Sequence, residues 1–253
     1  NTLLTGADYD FMLGDSRASA LIVSEALWPQ FEDIVGKHKH LKHVIVSGKD
    51  AKGRLRFSDL MAKASPEFVP AQTTCDDMCF WLYSSGSTGA PKGTVHLHSH
   101  LIQTAELYAR PVLGIREDDL VYSAAKLFFA YGLGNGMTFP MSVGATAVLM
   151  AERPTPQAVF KRLREHKPSI FYGVPTLYAA LLASPELPKR EDLRMRVCTS
   201  AGEALPADIG KRWTGHFGVE ILDGIGSTEM LHIFLSNRPG EVRYGTTGKA
   251  GPG

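Results

Sequence analysis

The chain of 253 residues carries 27 Lys plus Arg against 26 Asp plus Glu, so no net field recruits nucleic acid or an anionic membrane. Its 44% hydrophobic and 21% charged residues are those of a soluble globular protein, long enough for one large domain or two small ones. The apolar runs are far shorter than the ~20 residues of a membrane span, and Asn1–Thr5 lacks a signal peptide's charged and apolar regions, so a cytoplasmic protein is expected.

In chain order, Tyr9–Leu13 reads as helix, Ala20–Val23 as strand, Trp28–Lys37 as helix and His43–Val46 as strand, an alternation that signals parallel α/β layering. Arg56–Ala64 reads as a short helix with Ser58 as its cap. The linker Ser65–Pro70 leads to the strand Met78–Tyr83, and Thr94–His98 alternates like a second strand. Ser99 opens a helix through Arg110, Asp119–Ser123 is a strand, and Phe128–Pro140 is a Gly-rich aromatic stretch entering a helix. Thr146–Met150 reads as a buried strand, Thr155–Lys167 as helix and Ser169–Val174 as strand. Pro175 suits the first position of a helix through Ala183. Met195–Thr199 is a strand, Pro206–Phe217 a helix and Val219–Asp223 the final strand. Strands feeding Gly-rich loops in this order place ligands at the C-terminal edge of the sheet.

Three such loops carry the chemistry. In Ser84–Gly93, glycines 86, 89 and 93 let backbone N–H groups approach an anion, while Ser85, Ser87 and Thr88 add hydroxyls and Lys92 a positive charge. Pro91 before Lys92 and Gly93 after it exclude the helix-mounted G-x-x-x-x-G-K-[ST] loop, so the reading is a phosphate clamp between two strands. In Ser200–Pro206, Gly202 allows close passage of a flat ligand. In Asp223–Glu229, a hydroxyl at Thr228 stands beside a carboxylate, Glu229, that can ligate Mg²⁺. Together the loops describe a nucleoside triphosphate site. Other polar residues read more plainly: His96, His98 and His100 would share a strand face, but no carboxylate or thiol accompanies them as a metal site requires. His38, His40 and His43 read as solvated, and Phe128 and Phe129 as core. Cys75, Cys79 and Cys198 fit neither a disulfide framework nor a zinc knuckle.

The runs Tyr-Ser-Ser-Gly-Ser-Thr-Gly-Ala-Pro-Lys-Gly (83–93), Ser-Ala-Gly-Glu-Ala-Leu-Pro (200–206) and Gly-Ile-Gly-Ser-Thr-Glu (224–229) resemble, in order and spacing, the signature motifs of the acyl-adenylate-forming superfamily. Lys126–Asn135 and Met230–Phe234 look more particularly like benzoate-CoA ligases and their hydroxybenzoate relatives. The resemblance implies an α/β fold, the layered αβα core of the large N-terminal adenylation domain of acyl-CoA synthetases. Residues 1–253 would form an internal portion of that domain, without the small C-terminal domain.

The resemblance also implies roles. Ser85, Gly86, Ser87, Thr88, Gly89 and Lys92 would hold the β- and γ-phosphates of ATP. Gly202, Glu203, Asp223, Gly224 and Ile225 would line the adenine slot, with aliphatic contact at Ile225 where many relatives stack an aromatic ring. Thr228 would contact the α-phosphate and Glu229 would bind Mg²⁺, which with Lys92 makes the catalytic set. Ala130, Tyr131, Gly226, His232 and Ile233 would form a mostly apolar acid pocket, His232 being the polar group near the carboxylate or else a hydrogen-bonded core histidine. The implied reaction is attack of an aromatic carboxylate on ATP followed by transfer to coenzyme A. The expected partners are the acid, ATP and CoA, with room for a homodimer and neither nucleic acid nor membrane. The family's ribose-binding Asp, hinge and C-terminal Lys would follow the last residue here, so this stretch alone is expected to turn over weakly or not at all. Two other readings are an aryl adenylation domain with a different acceptor or acid, and a nucleotide-binding module without turnover.

Overall fold

In the computed structural model, which describes residues 1–85, 89 and 91–252, Asp8 N–H donates to Thr5 Oγ1 and Thr5 N–H donates back to Asp8 Oδ2. This reciprocal cap starts α1 (Gly6–Ser16). The chain divides into two units, Asn1–Thr74 with Tyr83–Thr94 and Cys75–Leu82 with Val95–Gly253.

In the first unit, β1 (Ala20–Ser24), β2 (His43–Ser47) and β3 (Leu55–Arg56) form a parallel sheet in that order, followed by α2 (Phe57–Lys63). Tyr9, Leu13, Val23, Trp28, Phe31 and Val46 make its core. Three expectations change here. Trp28–Lys37 is not one helix but lies across two tight 3₁₀ turns, Glu25–Gln30 and Val35–Lys37, because Pro29 has no N–H to donate to an α ladder. Ser58 lies inside α2 and does not cap it; Arg56 stands at the cap with no side-chain bond. His38 is half-buried and sits 2.7 Å from Asp10 Oδ1, a tie the solvated reading missed.

The strands β4 (Met78–Ser85) and β5 (Pro91–Leu97) pair with each other and flank the proposed phosphate loop, as the alternation of Thr94–His98 implied. In the first unit, Tyr83 Oη donates to Asp15 Oδ2 of α1 at 2.7 Å, anchoring the chain just before that loop.

The second unit opens with α3 (His98–Thr104), which widens into a π turn over Ala105–Ala109. There follow β6 (Leu120–Ser123), α4 (Ala130–Leu133), a second π turn over Gly134–Thr138, α5 (Phe139–Val143), β7 (Thr146–Val148) and α6 (Pro156–His166). Next come β8 (Ile170–Gly173), α7 (Pro175–Leu182), β9 (Val197–Ser200), α8 (Ala207–Phe217), β10 (Ile221–Gly226), β11 (Ile233–Ser236) and β12 (Lys249–Ala250). The sheet order is β12-β11-β10-β9-β8-β6-β7. The five strands from β10 to β7 are parallel, while β11 and β12 continue antiparallel. Val219–Asp223 is therefore not the final strand: β10 runs on through Gly226 and two strands follow. The expected buried strand Thr146–Met150 is shorter and half-exposed, because β7 is the sheet's edge.

Strand alternation builds the αβα layering within this unit. Tyr122, Phe171, Cys198 and Ile221 point to one face, under Phe160, Leu163, Tyr178, Leu181, Trp213 and Phe217 of α6, α7 and α8. Val121, Ile170, Tyr172, Val197 and Leu222 point to the other, under Ala105, Tyr108, Leu113 and Phe139. Below the sheet's opposite edge, Arg196 binds the buried Asp119 carboxylate through Nε and Nη2, and Ser169 Oγ donates to the same carboxylate at 2.7 Å. Phe128 and Phe129 are not core: Phe128 is half-buried, Phe129 is exposed, and the two rings pack on each other at 4.6 Å.

Candidate functional site

The parallel strands all point their C-terminal ends to one edge of the sheet, and most of the candidate residues stand there. After β9, Gly202 has φ +96°, a left-handed conformation that favours glycine, with open space where a side chain would project. Glu203 beside it is exposed. Asp223, opposite Ser200 in the β9–β10 register, is buried and accepts the Leu205 N–H at 3.3 Å, so its carboxylate ties the 201–206 loop to β10. Burial raises its pKa above the ordinary Asp range.

Gly224 and Gly226 are required by the close approach of β11. A Cβ at Gly224 would stand 2.7 Å from the Leu235 carbonyl oxygen, and one at Gly226 2.7 Å from that of His232. The missing side chain at Gly226 is thus taken up by the neighbouring strand's backbone. Ile225, between them, is exposed.

Thr228 and Glu229 follow on a tight turn. Ser227 Oγ accepts the Met230 N–H at 3.1 Å, and the Thr228 carbonyl accepts the Leu231 N–H at 3.1 Å. Leu231 is buried with φ +62°, unusual for a branched side chain and costing on the order of 1–3 kcal/mol. A second donor reaches the Thr228 carbonyl: His96 Nε2, at 2.9 Å. His96 is fully buried, and burial lowers its pKa against the opposing effect of that bond. The expected common face of three histidines does not form. His96 is on β5, whereas His98 and His100 lie in the first turn of α3, where the period changes from two to 3.6.

Of the acid-pocket candidates, Tyr131 packs against the His232 ring and Gly226 lies against the His232 carbonyl. The His232 ring lies 4.4 Å from Phe139, 5.2 Å from Tyr108 and 5.4 Å from Tyr131 by ring centres, and its Nε2 donates to Asn135 Oδ1 at 3.0 Å. A Cβ at Gly134 would stand 2.4 Å from His232 Cδ2, so the bare backbone of the π turn forms one wall of this cage. Burial pushes the His232 imidazole down to about 3, leaving it neutral. Tyr131 Oη donates to the Gly173 carbonyl at 3.2 Å and lies 2.5 Å from Thr199 Oγ1, which fixes the ring at the ends of β8 and β9. Ile233 packs in the same apolar cluster, while Ala130 begins α4, half-buried.

Of the phosphate loop, Gly89 is described with φ +85°, again the left-handed region, and Lys92 is exposed on β5. Gly86, Ser87 and Thr88 lie outside the described residues, as does the side chain of Ser85. Ser85, Gly89 and Lys92 belong to the first unit and the other described candidates to the second.

Among the described residues no group of three His, Cys, Asp or Glu side chains is placed to hold a metal ion alone. Glu229 is a single exposed carboxylate. That donor set fits Mg²⁺, which takes one or two carboxylates and completes its shell with water and substrate phosphates.

Sequence reasoning missed Asn135, Thr199 and the role of His96. Asn135 had a signal, being the one polar side chain in the Gly-rich apolar run Gly132–Met137.

Comparison with known proteins places these features in context. The AMP-binding enzyme family matches residues 1–253. A benzoate–CoA ligase of Thauera aromatica is 66% identical over 253 residues, all of this chain and 48% of its own length. The crystal structure of a benzoate CoA ligase from Burkholderia xenovorans superposes with a TM-score of 0.93 at 60% identity, over 100% of this chain and 50% of that one. An anthranilate CoA ligase solved in complex with anthranoyl-AMP gives 0.94 at 40% identity, over 99% and 49%. The chain spans about half the length of the relatives it matches.

Proposed function

The chain belongs to the AMP-binding enzyme family, and on that premise we propose that it is the adenylation portion of an ATP-dependent aromatic acid–CoA ligase acting on benzoate or a close analogue. The likeness along the whole chain to a benzoate–CoA ligase carries this reading. The packing of Tyr108, Tyr131 and Phe139 around His232 agrees with it, an apolar aromatic surrounding with few polar groups.

In this reading an oxygen of the carboxylate attacks the α-phosphorus of ATP, the bond to the bridging oxygen breaks, and pyrophosphate leaves with the electron pair. The thiol of CoA then attacks the acyl carbon, releasing AMP and giving the thioester. The protein supplies alignment and charge. Lys92 and the hydroxyls and amides of residues 85–89 grip the departing pyrophosphate, Thr228 holds the α-phosphate, and Gly202, Glu203, Asp223, Gly224 and Ile225 bound the adenine. Glu229 would hold Mg²⁺, which when bound neutralises developing phosphate charge. Tyr131, Ile233 and Ala130 orient the ring beside Gly226, and His232, neutral and with its Nε2 proton given to Asn135, bounds the acid without a charge. A cytoplasmic location and a homodimer are compatible with this reading.

The test is acid-dependent ATP–pyrophosphate exchange over a panel of acids with the full-length polypeptide, followed by CoA-thioester formation. Benzoate should support both. No exchange with benzoate sinks the reading, and exchange without a CoA thioester points to another acceptor.

A further inference from the structure

We propose that His96 is a positioning residue whose imidazole holds the Ser227–Leu231 turn in the conformation that presents Thr228 and Glu229. The inference rests on the reading of those two residues as ATP-facing groups. A carbonyl oxygen only accepts, so the bond from His96 to the Thr228 carbonyl assigns the proton to Nε2 and fixes the tautomer. The partners are 132 positions apart, so no local turn preference delivers this contact; the fold does.

Each end of the bond is built for it. His96 is fully buried, its ring 5.2 Å from Phe80 and 5.4 Å from His100, with Nδ1 3.2 Å from His100 Nδ1. Phe80 and His100 pack against the ring on that side, and Nε2 is directed at the turn. The turn in turn needs an outside hold. Its local bonds are those from Met230 and Leu231, and Leu231 sits in a backbone region that persists only where the surroundings over-determine it. His96 supplies that determination. The next two residues, His232 and Ile233, are acid-pocket candidates, so the same turn joins the ATP-facing pair to the acid-facing pair. One buried imidazole therefore sets the spacing between the two reactants.

Two variants in the full-length polypeptide separate this role from bulk packing. His96→Leu keeps the volume and removes the donor, whereas His96→Gln returns an N–H near the Nε2 position. His96→Leu should lower benzoate-dependent exchange at saturating substrates on the order of 100-fold and weaken ATP binding in calorimetry about tenfold. His96→Gln should recover at least about tenfold of the exchange rate. A folded His96→Leu with wild-type exchange and ATP affinity overturns the proposal, as does a His96→Gln no better than His96→Leu. The bond is also read directly in the wild type, where ¹⁵N-histidine spectra, beside the Nε2–H imidazoles of His216 and His232, should show a neutral Nε2–H imidazole with a through-bond coupling across the hydrogen bond to the Thr228 carbonyl carbon. Its absence overturns the proposal even where the variants fail to fold. Wild-type protein inactive with every acid would instead overturn the functional reading, with the spectra still judging the bond.

Discussion

His232 Nε2 donates to Asn135 Oδ1 at 3.0 Å, across 97 positions of sequence, and both side chains are buried. Replacing Asn135 by Leu keeps the volume and removes the acceptor, leaving the imidazole free to turn against Tyr108, Tyr131 and Phe139. The expected result is a fall of about tenfold or more in kcat/KM for the aromatic acid with KM for ATP unchanged, and a loss of about 1–3 kcal/mol of stability. Exchange kinetics with each substrate varied in turn, together with denaturant unfolding, check both. Equal loss toward both substrates would separate Asn135 from the acid.

The depressed pKa of His232 has a consequence for stability. Its folded value of about 3 lies below the ordinary 6.5, so between those values the unfolded chain binds more protons and stability falls as pH falls. The loss at pH 5 relative to pH 7 is about 2 kcal/mol from this residue, and His96, also lowered by burial, acts in the same direction. Unfolding midpoints measured from pH 7 to pH 5 should drop, and His232→Gln should flatten the slope. The exchange rate should show no titration belonging to His232 between pH 5 and pH 8.

Tyr131→Phe removes one hydroxyl and strands two partners, the Thr199 hydroxyl and the Gly173 carbonyl. The cost is about 1–2 kcal/mol of stability, with a rise in KM for benzoate and little change in KM for ATP. A Tyr131→Phe enzyme with wild-type KM for every acid tested would remove Tyr131 from the pocket.

Lys92→Ala should impair adenylation more than thioester formation from a preformed acyl-adenylate, because the side chain is assigned to the part of ATP that leaves in the first step. The two half-reactions are measured separately by pyrophosphate exchange and by CoA consumption with synthetic benzoyl-AMP. Equal loss in both contradicts the assignment.

Arg196→Met leaves the Asp119 carboxylate buried without its guanidinium. Burial alone would raise that carboxyl, but Arg196, Ser169 and the Arg116 N–H together hold its pKa below the usual value. Stability should fall by about 2–3 kcal/mol at pH 7, with the acid site's KM values intact, as unfolding and exchange assays would show.

Much of the second unit was legible because its strands are short apolar runs ended by Gly or Ser and its helices carry their own start signals. Pro175 opens α7, and Thr155 caps α6 by accepting the Ala158 N–H. Where the reading failed, a single residue outweighed the periodicity or the determinant lay elsewhere in the chain. Pro29 broke a helical spacing that otherwise held. The strands β11 and β12 depend on Gly224 and Gly226, whose bare backbones let a neighbour in. The alternation of His96, His98 and His100 runs unbroken on paper, but the chain turns helical at His98. The candidate site shows the same division. Motif residues announce themselves by their order, whereas Asn135 and Thr199 act across 97 and 68 positions, and only the fold brings such pairs together.

The π turn over Gly134–Thr138, closed by the Phe139 N–H donating to the Gly134 carbonyl, holds one residue more than an α turn. Its content is a count as much as a composition. Deleting one residue there would restore an α ladder and rotate what lies on one side of it by about 100° relative to the other. Gly134, Asn135 and Phe139, which all meet His232, could then no longer do so together, although each side chain would still be present. The helix has tolerated a widened, weaker turn at this place, and shortening it would mend the helix while undoing the packing around His232.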